Sequence, residues 1–480
     1  MIEQSWAKDE FVNLDIGDKR LNSRFINICD RFSESPESSI NQACNNWAET
    51  KGAYRFFGNE KIVSDKILRA HSAQTVERSK KYKTILAVQD TSYLIYTNHR
   101  ATKGIGKISM KKGKNIDKIF SKGLILHSCL AITTDGLPLG LLDQSITSRK
   151  PQTAERKKKK DVTPIEQKES YRWLKSLRNS TTQFKGSQVV TVCDREADIY
   201  EFFHLSNEIR SPVLVRANYN RVINKKSRYA EKGVVKLWEF MNAKPNVGTI
   251  KINITKKPTT RHSVQRKERI ANLTIKFGAF LFNPPKNNIK LRKGKLPDLK
   301  MNAIYALEEN PPKGEKPLEW MLLTNLPVAN LEQAYEKIKW YCLRWRIEMF
   351  FKVLKSGFNV ENCRLGYANR LIKYLTVMTI VAWRLFMMTL IARTDPNTPC
   401  TGFLTDIEWK VLYLKTHKSK RLPKRCPKIK DVVRWIACLG GFLARKKDGD
   451  PGTIVLWRGW KRLNDLTQGW TLAIKCGIYG

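Results

Sequence analysis

Two short apolar runs in the first half of the chain predict β-strands, and each ends in an acidic residue. TILAVQD (84–90) ends in Asp90, and QVVTVCD (188–194) ends in Asp194. Runs of this length, bounded by polar residues, are typical of buried strands. Carboxylates at strand ends lie where an α/β sheet opens into a crevice. An aspartate after a strand is also a common turn or capping residue, so either one alone would indicate little.

Further alternating segments predict the rest of the sheet and a β-rich insertion. Residues 124–146 contain two adjacent strand patterns, and 217–318 alternate strand-like pieces with lysine-rich turns. Helical spacing dominates residues 1–80 and the chain from 331 onward. The most apolar stretch, 375–392, is interrupted by Arg384. We therefore expect it to form a buried helix and not a membrane span.

The segment YCLRWRIEMFFKVLK (341–355) has the pattern of an amphipathic helix. At about 100° per residue, one face roughly 80° wide carries five polar residues: Tyr341, Arg344, Glu348, Lys352 and Lys355. A solvated face with a Glu348–Lys352 pair, worth only about 0.2–0.5 kcal/mol, explains two of them. A face that follows a phosphate backbone and includes one metal ligand explains the tyrosine and the arginine as well.

The charge of the chain changes this picture, because Lys and Arg number 88 against 44 Asp and Glu, a net charge of +44. Such an excess favours a polyanionic partner, and nucleic acid is the first candidate. The ten cysteines form no CxxC pair and the six histidines no HxxxH pair, which argues against a structural zinc site. Dispersed cysteines and a charged N terminus predict a reducing, cytoplasmic location without a signal peptide.

The acidic residues at the two strand ends and on the helix predict a metal site if they converge. Asp90, Asp194 and Glu348 would then repel by about 4 kcal/mol per close pair at an effective dielectric near 20. Oxygen ligands without His or Cys favour Mg²⁺, for which Mn²⁺ can substitute. Two such ions would activate a water or a 3′-hydroxyl and stabilise the leaving oxygen of an in-line phosphoryl displacement.

The spacing of Tyr341, Arg344, Glu348 and Lys355 resembles the YREK signature of the insertion sequence four family of DDE transposases. VQDTSYLIY and VCDREADIY are similar to the family's first and second aspartate strands. NPPKGEKPLEWMLLTNLPV resembles the end of its β-insertion, and RWIACLGGF its C-terminal part. GDKRL and KGAYRFFGN resemble its N-terminal DNA-binding module, so the resemblance spans nearly the whole chain.

The resemblance implies an α/β fold with an RNase H-like catalytic core. A helical DNA-binding domain (1–80) would precede the catalytic domain (81–370), whose β-rich insertion would cover about 217–318. A helical C-terminal dimerisation domain (371–480) would follow.

The resemblance also assigns roles to individual residues. Asp90, Asp194 and Glu348 would be the catalytic metal ligands. Tyr341, Arg344 and Lys355 would hold phosphates near the transposon end, with Lys352 on the same face. Trp320 would stack near an end base displaced from the duplex, the alternative being a tryptophan of the core. Arg216 and Arg364 are further candidates for DNA contact.

The implied activity is cut-and-paste transposition with Mg²⁺ as cofactor. The 3′ ends are nicked, the freed 3′-hydroxyl attacks the opposite strand to form a hairpin, and the opened ends are joined to target DNA. The implied partners are double-stranded DNA and a second copy of the chain, in a bacterial cytoplasm and without a membrane. The alternatives are a non-catalytic, transposase-derived repressor and another RNase H-like nuclease. The lysine-rich runs 111–114 and 156–160 have no assigned role.

Overall fold

The structure of the chain is a computed structural model. It describes residues 5–113, 116–149, 163–184, 186–223, 235–254, 268–285, 296–419 and 421–477, with the backbone alone for 109–113 and 116–120. By its internal contacts the chain forms two compact units. Unit 1 consists of Met1–Lys83, Thr91–Pro151 and Arg346–Gly480, and unit 2 of Thr84–Asp90 and Gln152–Trp345. The predicted domain boundaries at 80 and 370 stay a prediction, and the lysine-rich run 156–160 lies outside the described residues.

The strands and helices of the described residues are as follows, each set in chain order. The strands are β1 (Thr84–Ile95), β2 (Gly106–Gly113), β3 (Ile116–Thr133), β4 (Pro138–Ser148), β5 (Gln188–Cys193), β6 (Val213–Arg216), β7 (Gly248–Ile254), β8 (Arg269–Phe282), β9 (Leu299–Glu308) and β10 (Glu319–Thr324). The helices are α1 (Trp6–Glu10), α2 (Lys19–Glu34), α3 (Ile40–Ala43), α4 (Trp47–Gly58), α5 (Ser64–Ser79), α6 (Tyr171–Thr181), α7 (Tyr200–Glu208), α8 (Leu237–Asn242), α9 (Leu331–Leu343), α10 (Trp345–Lys352), α11 (Ala368–Thr394), α12 (Asp406–His417), α13 (Ile429–Leu439) and α14 (Thr453–Lys475).

Unit 1 combines the N-terminal and C-terminal helices with an antiparallel hairpin. The hairpin of β3 and β4 pairs from Leu124↔Ser148 to Ile132↔Pro138, which confirms the two adjacent strands predicted between 124 and 146. Helix α2 begins after Asp18, whose carboxylate accepts hydrogen bonds from the backbone of the first turn. A side-chain cap of this kind stabilises a helix by about 1 kcal/mol.

Helix α11 is the most apolar element of unit 1. Among the described residues it alone is long and apolar enough to cross a membrane, with a mean hydropathy of 1.9 over an 18-residue window that is 78% buried in the protein. Burial therefore accounts for its apolarity, as expected for the helix predicted at 375–392. Arg384 within it donates to the carbonyl of Phe403 at 2.8 Å and lies over the ring of Trp6 at 5.0 Å.

Unit 2 contains a mixed sheet in the order β1-β5-β6-β10-β9-β8-β7. The pairs β1–β5 and β5–β6 are parallel, and the pairs from β6–β10 to β7–β8 are antiparallel. Helices α6 and α7 cover it with buried aromatic residues, among them Trp173, Phe202 and Phe203. The pattern of segments predicted within 217–318 is confirmed where the structure describes it, as β7, β8 and β9.

Two sequence expectations about local structure are wrong. Strand β1 does not end at Asp90 but continues to Ile95, and within the added residues TSYLI only Leu94 is fully buried. The segment 341–355 is not one regular helix either. α9 ends at Leu343, and a π-helical turn follows α10 at Val353–Gly357.

The π-helical turn ends at a glycine that packs closely against a ring within unit 1. A Cβ atom at Gly357 would lie 2.7 Å from the ring of Trp457, so only glycine lets the backbone approach this ring. The N–H of Phe358 donates to the carbonyl of Val353, five residues back, at 3.0 Å. Each such turn holds an extra residue. The face angle predicted for Lys355 from a regular 100° step therefore does not apply.

Candidate functional site

Asp90 and Asp194 take equivalent positions on neighbouring parallel strands. Val88 on β1 pairs with Val192 on β5, and each aspartate follows two residues later. Neighbouring strands lie about 4.8 Å apart, and residues two apart share a face of the sheet. Continued by two residues, this register brings the Cα positions of the half-buried Asp90 and Asp194 next to each other.

Each aspartate also has a local contact. The Arg344 guanidinium Nη1 lies 3.2 Å from Asp90 Oδ2, and both side chains are largely buried. Asp194 follows β5 directly, and its Oδ1 accepts a hydrogen bond from the N–H of Glu196 at 2.9 Å. Asp194 thus caps the short 3₁₀ turn Arg195–Ala197, the ordinary role that the sequence left open. Capping occupies one oxygen and leaves the negative charge in place.

Tyr341 is the centre of a cluster of cations and rings in unit 2. Its side chain is buried, with the ring edge-to-face against Trp320 at 5.3 Å and the Arg344 guanidinium 5.9 Å from its centroid. Burial raises the pKa of the phenol, while the charges of Arg344 and Arg216 act in the opposite direction. Tyr341 therefore does not lie on a wet helix face. Its hydroxyl is held among guanidinium groups.

Arg216 and Trp320 belong to the same side of the sheet as this cluster. Arg216 interacts electrostatically with Tyr341 and donates from Nη2 to the carbonyl of Glu319 at 2.7 Å. Trp320 is half-buried, so its ring keeps an exposed part. The structure thus brings together Asp90 and Arg344, and Tyr341 with Arg216 and Trp320, all within unit 2.

The remaining predicted residues belong to unit 1. Glu348 on α10 is half-buried, Lys352 and Arg364 are exposed, and Lys355 lies in the π-helical turn. The ammonium of Lys355 donates to the carbonyl of Tyr93 at 2.9 Å and lies 3.8 Å from the carboxylate of Glu361. The convergence of Glu348 with the two aspartates stays a prediction.

The donor set of unit 2 fits a hard divalent cation. Within the part of the chain that the structure describes, no group of three or more His, Cys, Asp or Glu side chains is close enough to hold a metal ion. Asp90 and Asp194, at neighbouring positions by the register of β1 and β5, offer two carboxylates. Mg²⁺ is usually bound by one or two carboxylates together with waters and phosphate oxygens, so two protein ligands suit it.

Sequence reasoning missed the structural importance of Asp198. This residue is 3% exposed and accepts from the N–H groups of Asn218 at 2.7 Å and Tyr219 at 3.2 Å. It also forms an ion pair with Arg221. Asp198 thereby anchors the loop that follows Arg216. The only signal in the sequence was its place in the DREAD motif, four residues after Asp194.

Comparison with known proteins decides the family. Residues 110–383, more than half of the 480 residues, match the family described as Transposase DDE domain. The chain belongs to the DDE transposase family. Residues 3–62 match Transposase DNA-binding, and residues 380–476 match Transposase Tn5 dimerisation domain. This DDE transposase is therefore a DNA transposase with a DNA-binding and a dimerisation region, and DDE domains generally use divalent metal ions.

A solved structure is also similar to this DDE transposase. The cryo-EM structure of the piggyBac transposase synaptic complex with hairpin DNA matches with a TM-score of 0.33 and 11% sequence identity. The match covers 88% of this chain and 83% of that one. A likeness at this level does not establish a shared fold.

Proposed function

We propose that this DDE transposase is an active cut-and-paste enzyme of the insertion sequence four family with the YREK signature. Within that family we propose a particular similarity to the transposase of the composite kanamycin-resistance transposon. It binds the inverted repeats at the transposon ends, cleaves them through a hairpin intermediate and joins them to target DNA. The parallel register of β1 and β5, continued by two residues to Asp90 and Asp194, is the observation that supports this proposal.

The catalytic residues we propose are Asp90, Asp194 and Glu348, in an RNase H-like core. The three carboxylates hold Mg²⁺, or Mn²⁺ in its place. The chemistry that the bound ions supply is activation of the attacking oxygen and stabilisation of the leaving oxygen. Arg344, 3.2 Å from Asp90, partly offsets the repulsion between the neighbouring carboxylates when no ion is bound.

Cations and rings beside the carboxylates hold the DNA. Arg344 and Arg216 offer planar, bidentate donors to phosphate oxygens, and Tyr341 adds a hydroxyl between them. Trp320 stacks on a base displaced from the end of the duplex, which is worth about 1–3 kcal/mol and offsets part of the unstacking cost. Further phosphate contacts come from unit 1: Lys352, Lys355 and Arg364.

The working form is a homodimer that brackets two transposon ends, with the dimer contact in the C-terminal helices. The match of residues 380–476 to a transposase dimerisation domain supports this arrangement. The net charge of +44 supports a location on the nucleoid in a bacterial cytoplasm, since it favours polyanionic partners.

The experiment that tests this function is incubation with DNA that carries the native flanking repeats and Mg²⁺. We expect excised fragments with hairpin ends from the parent protein. Glu348→Gln should bind the same DNA without cleaving it, and Glu332→Gln, an exposed acid on α9, should cleave like the parent.

Two outcomes would contradict the proposal. Equal cleavage by Glu348→Gln and the parent would show that Glu348 on α10 takes no part in catalysis. Tight end binding by the parent without any cleavage in Mg²⁺ or Mn²⁺ would favour the non-catalytic repressor.

A further inference from the structure

The residue directly before Trp320 is held by two hydrogen bonds that converge on one oxygen. Glu319 Oε1 accepts from the indole N–H of Trp238 at 2.7 Å and from the hydroxyl of Tyr305 at 3.0 Å. Burial raises the pKa of Tyr305, and the negative charge of Glu319 raises it further, so the phenol keeps the proton that it donates. Hydrogen bonds to a charged acceptor are about twice as strong as neutral ones.

Side chains of strand β10 alternate between the two faces of the sheet. The fixed carboxylate of Glu319 and the ring of Trp320 therefore lie on opposite faces. Met321 pairs with Tyr305 across the β9–β10 ladder, so Glu319, two residues from Met321, shares the face of Tyr305. Trp320 projects from the other face. A carboxylate that is fixed on one side therefore fixes the backbone from which the tryptophan ring extends on the other side.

A second contact restrains the same peptide. Arg216 on β6 pairs with Leu322 and donates from Nη2 to the carbonyl of Glu319 at 2.7 Å. The peptide between Glu319 and Trp320 is thus held in two ways. The side chain of Glu319 is bound by Trp238 and Tyr305, and the carbonyl of Glu319 accepts from Arg216. This arrangement limits the movement of Trp320 before any DNA is bound, which lowers the entropy cost of stacking.

We propose that Glu319 is a positioning residue for recognition of the transposon end. Its carboxylate, held by Trp238 and Tyr305, sets the ring of Trp320 to stack on an unpaired DNA base. This inference rests on the stacking role of Trp320 under the proposed function. Glu319 itself acts through Trp320 and touches no DNA.

The test is photo-crosslinking with end DNA in which 5-iodouracil replaces each terminal thymine in turn. Crosslinking depends on close stacking of the iodinated base on an aromatic ring, so its yield at Trp320 reports the ring position and not only the fold. Parent protein should crosslink to Trp320, as mapped by mass spectrometry. We expect Glu319→Ala to lower this yield at least threefold and Glu319→Gln to restore most of it, since the amide oxygen still accepts.

Matched variants separate positioning from general damage. Glu309→Ala removes an exposed acid just after β9 and should crosslink like the parent. Trp238→Phe removes one donor while keeping a ring, so we expect an intermediate yield, and this variant decides the question if Glu319→Ala does not fold. A parent-level yield from folded Glu319→Ala, or from Trp238→Phe in that case, would overturn the proposal.

The outcomes also distinguish this inference from the proposed function. If the parent itself gives no crosslink to Trp320 at any terminal position, the stacking role fails and the positioning role fails with it. If the parent crosslinks and the Glu319 variants match it, only the positioning role fails.

Discussion

Two charged clusters, one in each unit, differ in how their charges are arranged. In unit 1, the carboxylate of Glu10 is bound by two bases, His71 Nδ1 at 2.6 Å and Arg78 Nη1 at 2.7 Å. In unit 2, the register places two acids, Asp90 and Asp194, beside each other. The first cluster is a single acid between two basic side chains, and the second has two acids at neighbouring positions with one cation, Arg344, beside Asp90.

Under the proposed function, the cluster of unit 1 serves stability and the cluster of unit 2 serves chemistry. Glu10 is 7% exposed and His71 is fully buried, and the N–H of Leu141 donates to His71 Nε2 at 2.9 Å. Such a closed network stabilises the fold. Two neighbouring carboxylates instead repel, by about 4 kcal/mol at close range and an effective dielectric near 20. Under the proposed function, a bound cation offsets this repulsion.

The largest expected effect is the loss of DNA cleavage when an aspartate of the unit 2 cluster is replaced. Asp90→Asn or Asp194→Asn should lower metal-dependent end cleavage by about a thousandfold or more, because the ions supply several kcal/mol of transition-state stabilisation. The melting temperature of Asp194→Asn should stay at or above that of the parent, since one of two repelling charges is removed, whereas Asp90→Asn also loses the ion pair with Arg344. End cleavage and thermal melting measure both effects. A strongly lowered melting temperature with unchanged cleavage would reverse the assignment.

The next effect concerns the closed network. His71→Ala removes the acceptor for Leu141 and the donor to Glu10, so we expect a loss of about 3 kcal/mol in the free energy of unfolding. His204→Ala, at a partly exposed position on α7, should cost less than about 1 kcal/mol. Urea denaturation measures both values. Equal losses for the two variants would show that the network contributes little.

The same network predicts a pH dependence of stability. Burial lowers the pKa of His71 below its ordinary value of 6.5, although the facing Glu10 acts against this shift. The unfolded chain therefore binds an additional proton as the pH falls below about 6.5, and the stabilisation present above that pH is lost at up to about 1.4 kcal/mol per pH unit. Urea denaturation of the parent and of His71→Gln between pH 7.5 and 5.5 should show a steeper loss for the parent. Parallel curves would contradict this.

The smallest expected effect concerns one DNA contact outside both clusters. Lys355→Ala should weaken end binding and lower the slope of log affinity against log salt by about one, as for a lost phosphate contact. Lys447→Ala, at an exposed position, is the matched control. Binding titrations at several salt concentrations measure the slope. A slope equal to that of the parent would assign Lys355 to its intramolecular contacts with Tyr93 and Glu361 alone.

Sequence patterns predicted what depends on local periodicity. The β3–β4 hairpin, strand β5 and the buried helix α11 follow from runs and spacing, and Asp194 lies at the strand end where its run stops. The length of β1 was missed because a half-buried strand does not need a continuous apolar run. The π-helical turn was missed because a regular 3.6-residue period carries no sign of it, and its Gly357 packs on a ring 100 positions away.

Contacts between residues distant in the sequence could not be predicted in this way. Arg344 meets Asp90 across 254 positions, and Trp238 meets Glu319 across 81. Neither pair leaves a periodic signal, since each depends on the order of strands in the sheet. The resemblance to a family named the candidate residues, and the role of Glu348 as third ligand stays a prediction.

The most direct test of the account is a count of bound metal ions. Parent protein, Asp194→Asn and the control Glu332→Gln are each assembled with end DNA and titrated with Mn²⁺, and the free ion is measured by electron paramagnetic resonance. We expect the parent and the control to retain at least one tightly bound Mn²⁺ that Asp194→Asn lacks. The same number of tightly bound ions in all three complexes would contradict the claim that the paired carboxylates of β1 and β5 hold the metal.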